Sequence, residues 1–215
     1  LYVNVANTPF ALLQKIFTNR KVIISVDGIE WRRKKWNLIG KCYFYLCACN
    51  SKHFSHHLIA DSKEIISLYK NQFKAETKYI SYGANTYISE NEVIEFQNNS
   101  YYLIIGRIIP DNNIDFLIKQ LLESNTEKKI VIVGELKKTN NYHNEIIQME
   151  DNRLVKLGLV TSISRLNQLL KNCFCYLHGH EYGGTNPILL QTLGNRALTL
   201  AINTPYNTEV VSDKY

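Results

Sequence analysis

Methionine and long apolar runs are scarce in this 215-residue chain. No stretch approaches the ~20 consecutive apolar residues that span a bilayer, and no signal-peptide pattern is present. A soluble, cytoplasmic protein is therefore expected. Met149 is the sole methionine and residue 1 is Leu, so the chain is expected to be processed or to be a piece of a longer protein. The paired C-x2-C spacing of zinc sites is also missing. Cys42, Cys47, Cys49, Cys173 and Cys175 fall at C-x4-C and C-x-C spacings, which suit buried, reduced thiols. His53, His56 and His57 lack a spaced carboxylate or cysteine partner, so no metal site is expected. No recognisable nucleic-acid motif accompanies the basic residues.

What is present is an alternation of elements. Apolar runs at 22–26, 78–82, 101–105, 130–134, 154–157 and 173–177 are separated by amphipathic segments such as 114–123 and 163–171. Nearly continuous, β-branched runs suit parallel strands covered by helices on both faces, which makes the fold class α/β. Hydrophobic residues make up 45% of the chain, ample for a core. Around 88–100 the pattern lapses into Ser-Glu-Asn-Glu and Gln-Asn-Asn-Ser, which marks a domain boundary.

Charge is divided unevenly. Residues 1–90 carry 13 Lys/Arg against 6 Asp/Glu, whereas residues 91–215 carry 12 against 13. Within the basic half, Trp31-Arg32-Arg33-Lys34-Lys35-Trp36 packs four cations between two tryptophans. Two readings are open: an amphipathic basic helix lying on an anionic membrane, or a solvated helix face whose tryptophans pack inward.

The most informative stretch is 178–191, His-Gly-His-Glu-Tyr-Gly-Gly-Thr-Asn-Pro-Ile-Leu-Leu-Gln. An apolar strand runs into a glycine turn, and Pro187 stands where a first helical turn tolerates a missing N–H. Gly183 and Gly184 admit close approach of a ligand, while Thr185 or Asn186 supplies the cap. Free amides and the positive end of the helix dipole would then face an anion such as a phosphate. An ordinary strand-to-helix turn with a good cap would look the same.

This segment resembles the donor-binding motif of family-4 glycosyltransferases, in particular the bacterial rhamnosyltransferase-like branch. Three other landmarks are similar to that branch. Asp27-Gly28-Ile29-Glu30-Trp31 follows the run at 22–26, and Asp27 and Glu30 have the spacing of a helix cap with its reciprocal partner. Ala60-Asp61-Ser62 resembles a motif that opens a helix, with Asp61 as the expected cap. Gly106-Arg107 follows the run at 101–105, with Asn112 where many members have a lysine.

The resemblance implies a GT-B architecture of two Rossmann-like domains with mainly parallel sheets. Residues 1–88 would be a partial N-terminal, acceptor-side domain lacking its first strand-turn-helix unit, and 92–215 the C-terminal donor-binding domain. It implies donor contacts from Gly106, Arg107, Glu181, Gly183, Gly184, Thr185, Asn186 and Gln191, the last replacing a glutamate that holds ribose. Arg107 would meet the diphosphate, for which a guanidinium is well shaped. Asp27, Glu30 and His180 become candidates for sugar or acceptor contacts.

The implied activity is a retaining transfer of a sugar, rhamnose in this branch, from a nucleotide diphosphate sugar such as dTDP-rhamnose to a lipid-linked saccharide. It would serve cell-surface polysaccharide synthesis at the inner face of a bacterial plasma membrane and need no metal or other cofactor. The rival readings are a truncated or degenerate non-catalytic nucleotide-binding homologue and a sugar-nucleotide epimerase on a similar fold.

Overall fold

A computed structural model describes residues 1–26, 28–92 and 95–211. The chain forms two compact units. The first comprises Leu1–Tyr82, Tyr182–Thr185 and the segment from Thr204 onward, and the second Gly83–Glu181 with Asn186–Asn203.

The first unit is built on a parallel sheet in the order β1 (Ile23–Ser25), β2 (His57–Ala60), β3 (Lys78–Tyr79). Helices α1 (Thr8–Phe17), α2 (Leu38–Phe54) and α3 (Lys63–Phe73) belong to it, as does α8 (Pro205–Val211). Ile24 and Leu58 from the strands meet Ala11, Phe44, Ala48, Ile65 and Tyr69 from the helices in one core. Asn37 caps α2 by accepting from the Gly40 N–H at 2.9 Å. At α3 the cap is Ser62, whose Oγ accepts from the Glu64 and Ile65 N–H groups. The expectation that Asp61 caps this helix is therefore corrected: the hydroxyl one residue later reaches the free amides.

The basic segment is corrected too. Residues 33–37 are not helical; Glu30–Arg32 form one 3-10 turn, and α2 begins only at Leu38. Asp27, the expected capping partner of Glu30, lies outside the described residues; the buried Glu30 carboxylate takes Arg33 at 2.8 Å, Lys35 at 2.9 Å and the Trp36 indole N–H at 2.7 Å. Trp31 packs edge-on against Phe73 and Tyr45. A three-partner acid and an inward tryptophan outweigh the helical spacing of the cations.

The second unit is a five-stranded parallel sheet in the order β6-β5-β4-β7-β8, with β4 (Tyr101–Ile105), β5 (Lys129–Val133), β6 (Leu154–Gly158), β7 (Cys175–His178) and β8 (Thr199–Ala201). Helices α4 (Ile114–Glu123), α5 (Asn141–Gln148), α6 (Ile163–Asn172) and α7 (Pro187–Gly194) connect the strands. Ile130 to Val133 and all of β7 are buried, as expected for strands covered on both faces. Ile104, Ile130, Ile132 and Leu177 meet Ile114, Ile118 and Ile146 in the core. The chain winds outward from β4 to β6, then returns to β7 and β8 on the other side. That reversal makes the β4/β7 crevice the topological switch point, where open α/β sheets place ligands.

One cysteine departs from the apolar run expected at 173–177: Cys173 ends α6, while Cys175 opens β7. Burial still explains both, pushing the Cys173 thiol up to about 12 and the Cys175 thiol to about 11. Among the described residues no helix is long and apolar enough to cross a membrane, and no group of His, Cys, Asp or Glu is placed to hold a metal.

Candidate functional site

In the second unit β4, β5, β6 and β7 all run into glycines: Gly106, Gly134, Gly158 and Gly179. At Gly134 a Cβ would stand 2.4 Å from the Gly106 carbonyl oxygen and 2.6 Å from Ile108 Cδ1, so the loops after β4 and β5 touch only because this residue has no side chain. Beside these loops opens a cavity of about 350 Å³. Gly106, Arg107 and Ile108 line one side, Gly134 and Glu135 another, and Leu159 and Val160 a third. The walls are mostly apolar with main-chain groups between them, a lining suited to a flat organic ligand. Arg107 is exposed at this cavity and makes no ion pair with a described residue. Its charge is available to an anion.

At the switch point two asparagines tie the β4 and β7 loops together. The Asn113 amide donates to the Gly179 carbonyl at 2.9 Å, and Asn112 Nδ2 donates to the Arg107 carbonyl at 2.7 Å. That bond orients the Asn112 amide, so its Oδ1 accepts from His180 Nδ1 at 2.8 Å and places the ring proton there. The Glu181 N–H donates to the Asp111 carbonyl at 3.0 Å. Position 112, where an expected cation is missing, is thus occupied by a residue that positions Arg107 and His180 together.

Asn186 caps α7 by accepting from the Ile188 N–H at 3.1 Å, with Pro187 as the first helical residue. Gln191 is engaged within the unit: its Oε1 accepts from the Asn85 N–H at 2.9 Å, and its Nε2 donates to the Asn85 carbonyl and to Asn167 Oδ1. Asn167 also donates to the Asn85 and Tyr87 carbonyls. An amide serves here because it donates and accepts at once. A carboxylate would lack the donor.

Four more residues of the predicted set, Glu30, Gly183, Gly184 and Thr185, lie in the first unit. Thr185 is not a cap; its Oγ1 donates to the Asp61 carbonyl at 2.9 Å. Gly184 presses on the Asp61 side chain, and Gly183 has a φ of 148°, a conformation open to glycine. Asp61 is buried, and its Oδ1 has no hydrogen-bond partner among the described residues. Burial pushes this carboxyl above its ordinary range and the Glu209 charge adds to the rise, against the pull of the Asp61 and Thr185 N–H groups. Glu30 is held in its cation cluster. Asp27 lies outside the described residues.

Sequence reasoning missed Gly134, Gly179, Asn167 and His143. The glycines carried a legible signal, since Gly134 closes the apolar run at 130–134 and Gly179 stands two residues past the run at 173–177; the asparagine and histidine carried none.

A family model described as "Domain of unknown function (DUF1972)" matches residues 8–85. No curated protein matches the chain in sequence. Solved structures match over nearly all of it. Sucrose-phosphate synthase from Thermosynechococcus elongatus superposes with a TM-score of 0.76 at 11% identity, over 93% of this chain and 54% of that one. Anabaena Alr3699/HepE in complex with UDP and glucose gives 0.73 at 14% identity, over 92% and 56%. TarM, known from S. aureus, gives 0.70 at 16% identity, over 93% and 40%. The fold is that of GT-B glycosyltransferases. The chain spans about half the length of these structures. Within that GT-B frame, the cavity and Arg107 stand at the carboxyl ends of the second unit's strands.

Proposed function

We propose that this chain is part of a glycosyltransferase that moves a sugar from a nucleotide diphosphate sugar to a saccharide acceptor. The observation that carries the reading is the cavity at the ends of β4 to β6 with Arg107 exposed beside it, in a fold whose solved relatives include complexes with UDP. In this reading the apolar-walled cavity takes the base and Arg107 meets the diphosphate. The guanidinium then stabilises charge on the departing nucleotide as the sugar acquires oxocarbenium character. Asn186 at the start of α7, in the same unit, adds a main-chain amide for the same leaving group. Transfer proceeds with retention, and no metal is required by the scheme.

The finer assignment is a rhamnosyltransferase of bacterial polysaccharide synthesis acting on a lipid-linked saccharide. A membrane-surface acceptor fits the first unit's outer helices. Phe10, Phe17, Leu38, Ile39 and Leu46 are exposed there, and residues 31–60 contain no acidic side chain. Apolar and cationic groups without acids suit an anionic bilayer surface at the cytoplasmic face.

Isothermal titration with UDP, dTDP and GDP, repeated on Arg107→Ala, tests the donor reading. Saturable binding of one nucleotide, weakened at least tenfold by the substitution, is the expected result (about 1.4 kcal/mol). Absence of binding by the folded chain would overturn it. A non-catalytic homologue is the second reading, favoured by the engagement of Gln191 with Asn85 and Asn167. Binding without sugar transfer to any lipid-linked acceptor would select it, and an epimerised donor sugar would select the epimerase.

A further inference from the structure

His143 stands on the inner face of α5, buried, between the two loops that wall the cavity. Its Nδ1 accepts from the Lys137 N–H at 2.9 Å, and its Nε2 lies 2.6 Å from the Ile108 carbonyl oxygen. A carbonyl oxygen only accepts, so Nε2 carries the ring proton; Nδ1, facing an N–H, carries the lone pair. The tautomer is set by main-chain partners on both sides. Asn140 sets the approach of the ring by capping α5, accepting from the His143 N–H at 3.3 Å. The imidazole is thus a rigid spacer between Ile108, next to Arg107, and Lys137, two residues past Glu135.

We infer that His143 is a positioning residue for the donor site: it fixes the main chain that carries Arg107 and sets the width of the cavity between the β4 and β5 loops. The inference rests on the donor reading above. The ring borders the cavity, but both nitrogens are engaged, so it has no hydrogen bond left to offer a ligand. Its contribution passes through Arg107 and the loop main chain. The Gly134 contact explains why the spacer matters. Gly106, Ile108 and Gly134 are already packed to the limit on one side, and without a bridge on the other the loops would hinge about that contact.

The test uses the full chain, with affinity for the tightest of UDP, dTDP and GDP measured by titration. His143→Leu removes both bonds while filling similar space. His143→Gln keeps an N–H able to reach the Ile108 carbonyl. Ile118→Val, in the core of the same unit, serves as the control for lost stability. Affinity is expected to fall about tenfold in His143→Leu and to recover partly in His143→Gln, with Ile118→Val unchanged. Exchange of the Lys137 amide is expected to quicken in His143→Leu. Wild-type affinity in a folded His143→Leu overturns the positioning role alone, and so does an equal loss in Ile118→Val. If His143→Leu does not fold, unchanged affinity in His143→Gln overturns it as well. No nucleotide binding by the unaltered chain overturns the donor reading, and the positioning role with it.

Discussion

Gly184 lies against Asp61 so closely that a Cβ at position 184 would stand 2.2 Å from the carboxylate Oδ1 and 2.8 Å from its carbon. Asp61 is short and buried, so it has little room to withdraw. Gly184→Ala is expected to destabilise the first unit by about 1–3 kcal/mol. In a double-mutant cycle with Asp61→Ala, much of that loss should be absent. Additive losses in urea unfolding would show that the contact is not made.

Asp61 also makes stability depend on pH. Its folded-state carboxyl is pushed above the ordinary value by burial and by Glu209, so its contribution is complete below that ordinary value and is lost as pH rises through the raised one. Asp61→Asn cannot ionise and escapes the loss. The variant is expected to match the parent near pH 4 and to exceed it by roughly 1 kcal/mol at neutral pH. Thermal melts across that range check this; a variant less stable at neutral pH would refute it.

Glu30 behaves in the opposite sense. Burial raises its carboxyl, but the Trp36 N–H, Lys35 and Arg33 together hold it below its ordinary value. The stability it supplies is present above that value and disappears as pH falls through the depressed one. Glu30→Gln is expected to cost about 2–4 kcal/mol at neutral pH, because Arg33 is left buried without its counter-charge. The gap between variant and parent should close in acid. An unchanged midpoint in guanidinium at pH 7 would sink the idea.

Gln191→Glu would restore the residue type that the resembled family carries. In this chain it would place a carboxylate against the Asn85 carbonyl and Asn167 Oδ1, where an amide now donates. A loss of about 1–2 kcal/mol in urea unfolding is expected, together with faster exchange of the Asn85 amide. Equal stability would mean that the amide network forms no part of the folded unit.

Much of the second unit was legible from local pattern. The periodicities at 114–123 and 163–171 are α4 and most of α6, and Asn186-Pro187 opens α7 through a cap and a tolerated proline. Strand β8 was not anticipated, because three residues of mixed burial carry no alternation to recognise.

The candidate site was legible only in part. Gly106 and Arg107 were found because they directly follow an apolar run. The Glu30 cluster was not read from the sequence: Arg33, Lys35 and Trp36 are near neighbours, but they converge on the carboxylate only because the chain leaves a 3-10 turn at Arg32 and stays non-helical until Leu38. His143 was invisible: nothing in Tyr142-His143-Asn144 announces that the ring will sit between Ile108 and Lys137.

The sequence by itself determined the α/β alternation, the parallel character of the strands and the glycine-proline turn before α7. Those properties depend on φ, on missing N–H groups and on periodicities of two and 3.6 residues, all of which act within a few positions. Only the tertiary structure decided that Asn112 orients His180, that Gln191 holds Asn85, that Asp61 receives Gly184 and that His143 spaces two loops. These pairings join residues far apart in the chain or displaced across a loop. Their energy comes from burial and hydrogen-bond complementarity, which exist only once the strands are in register.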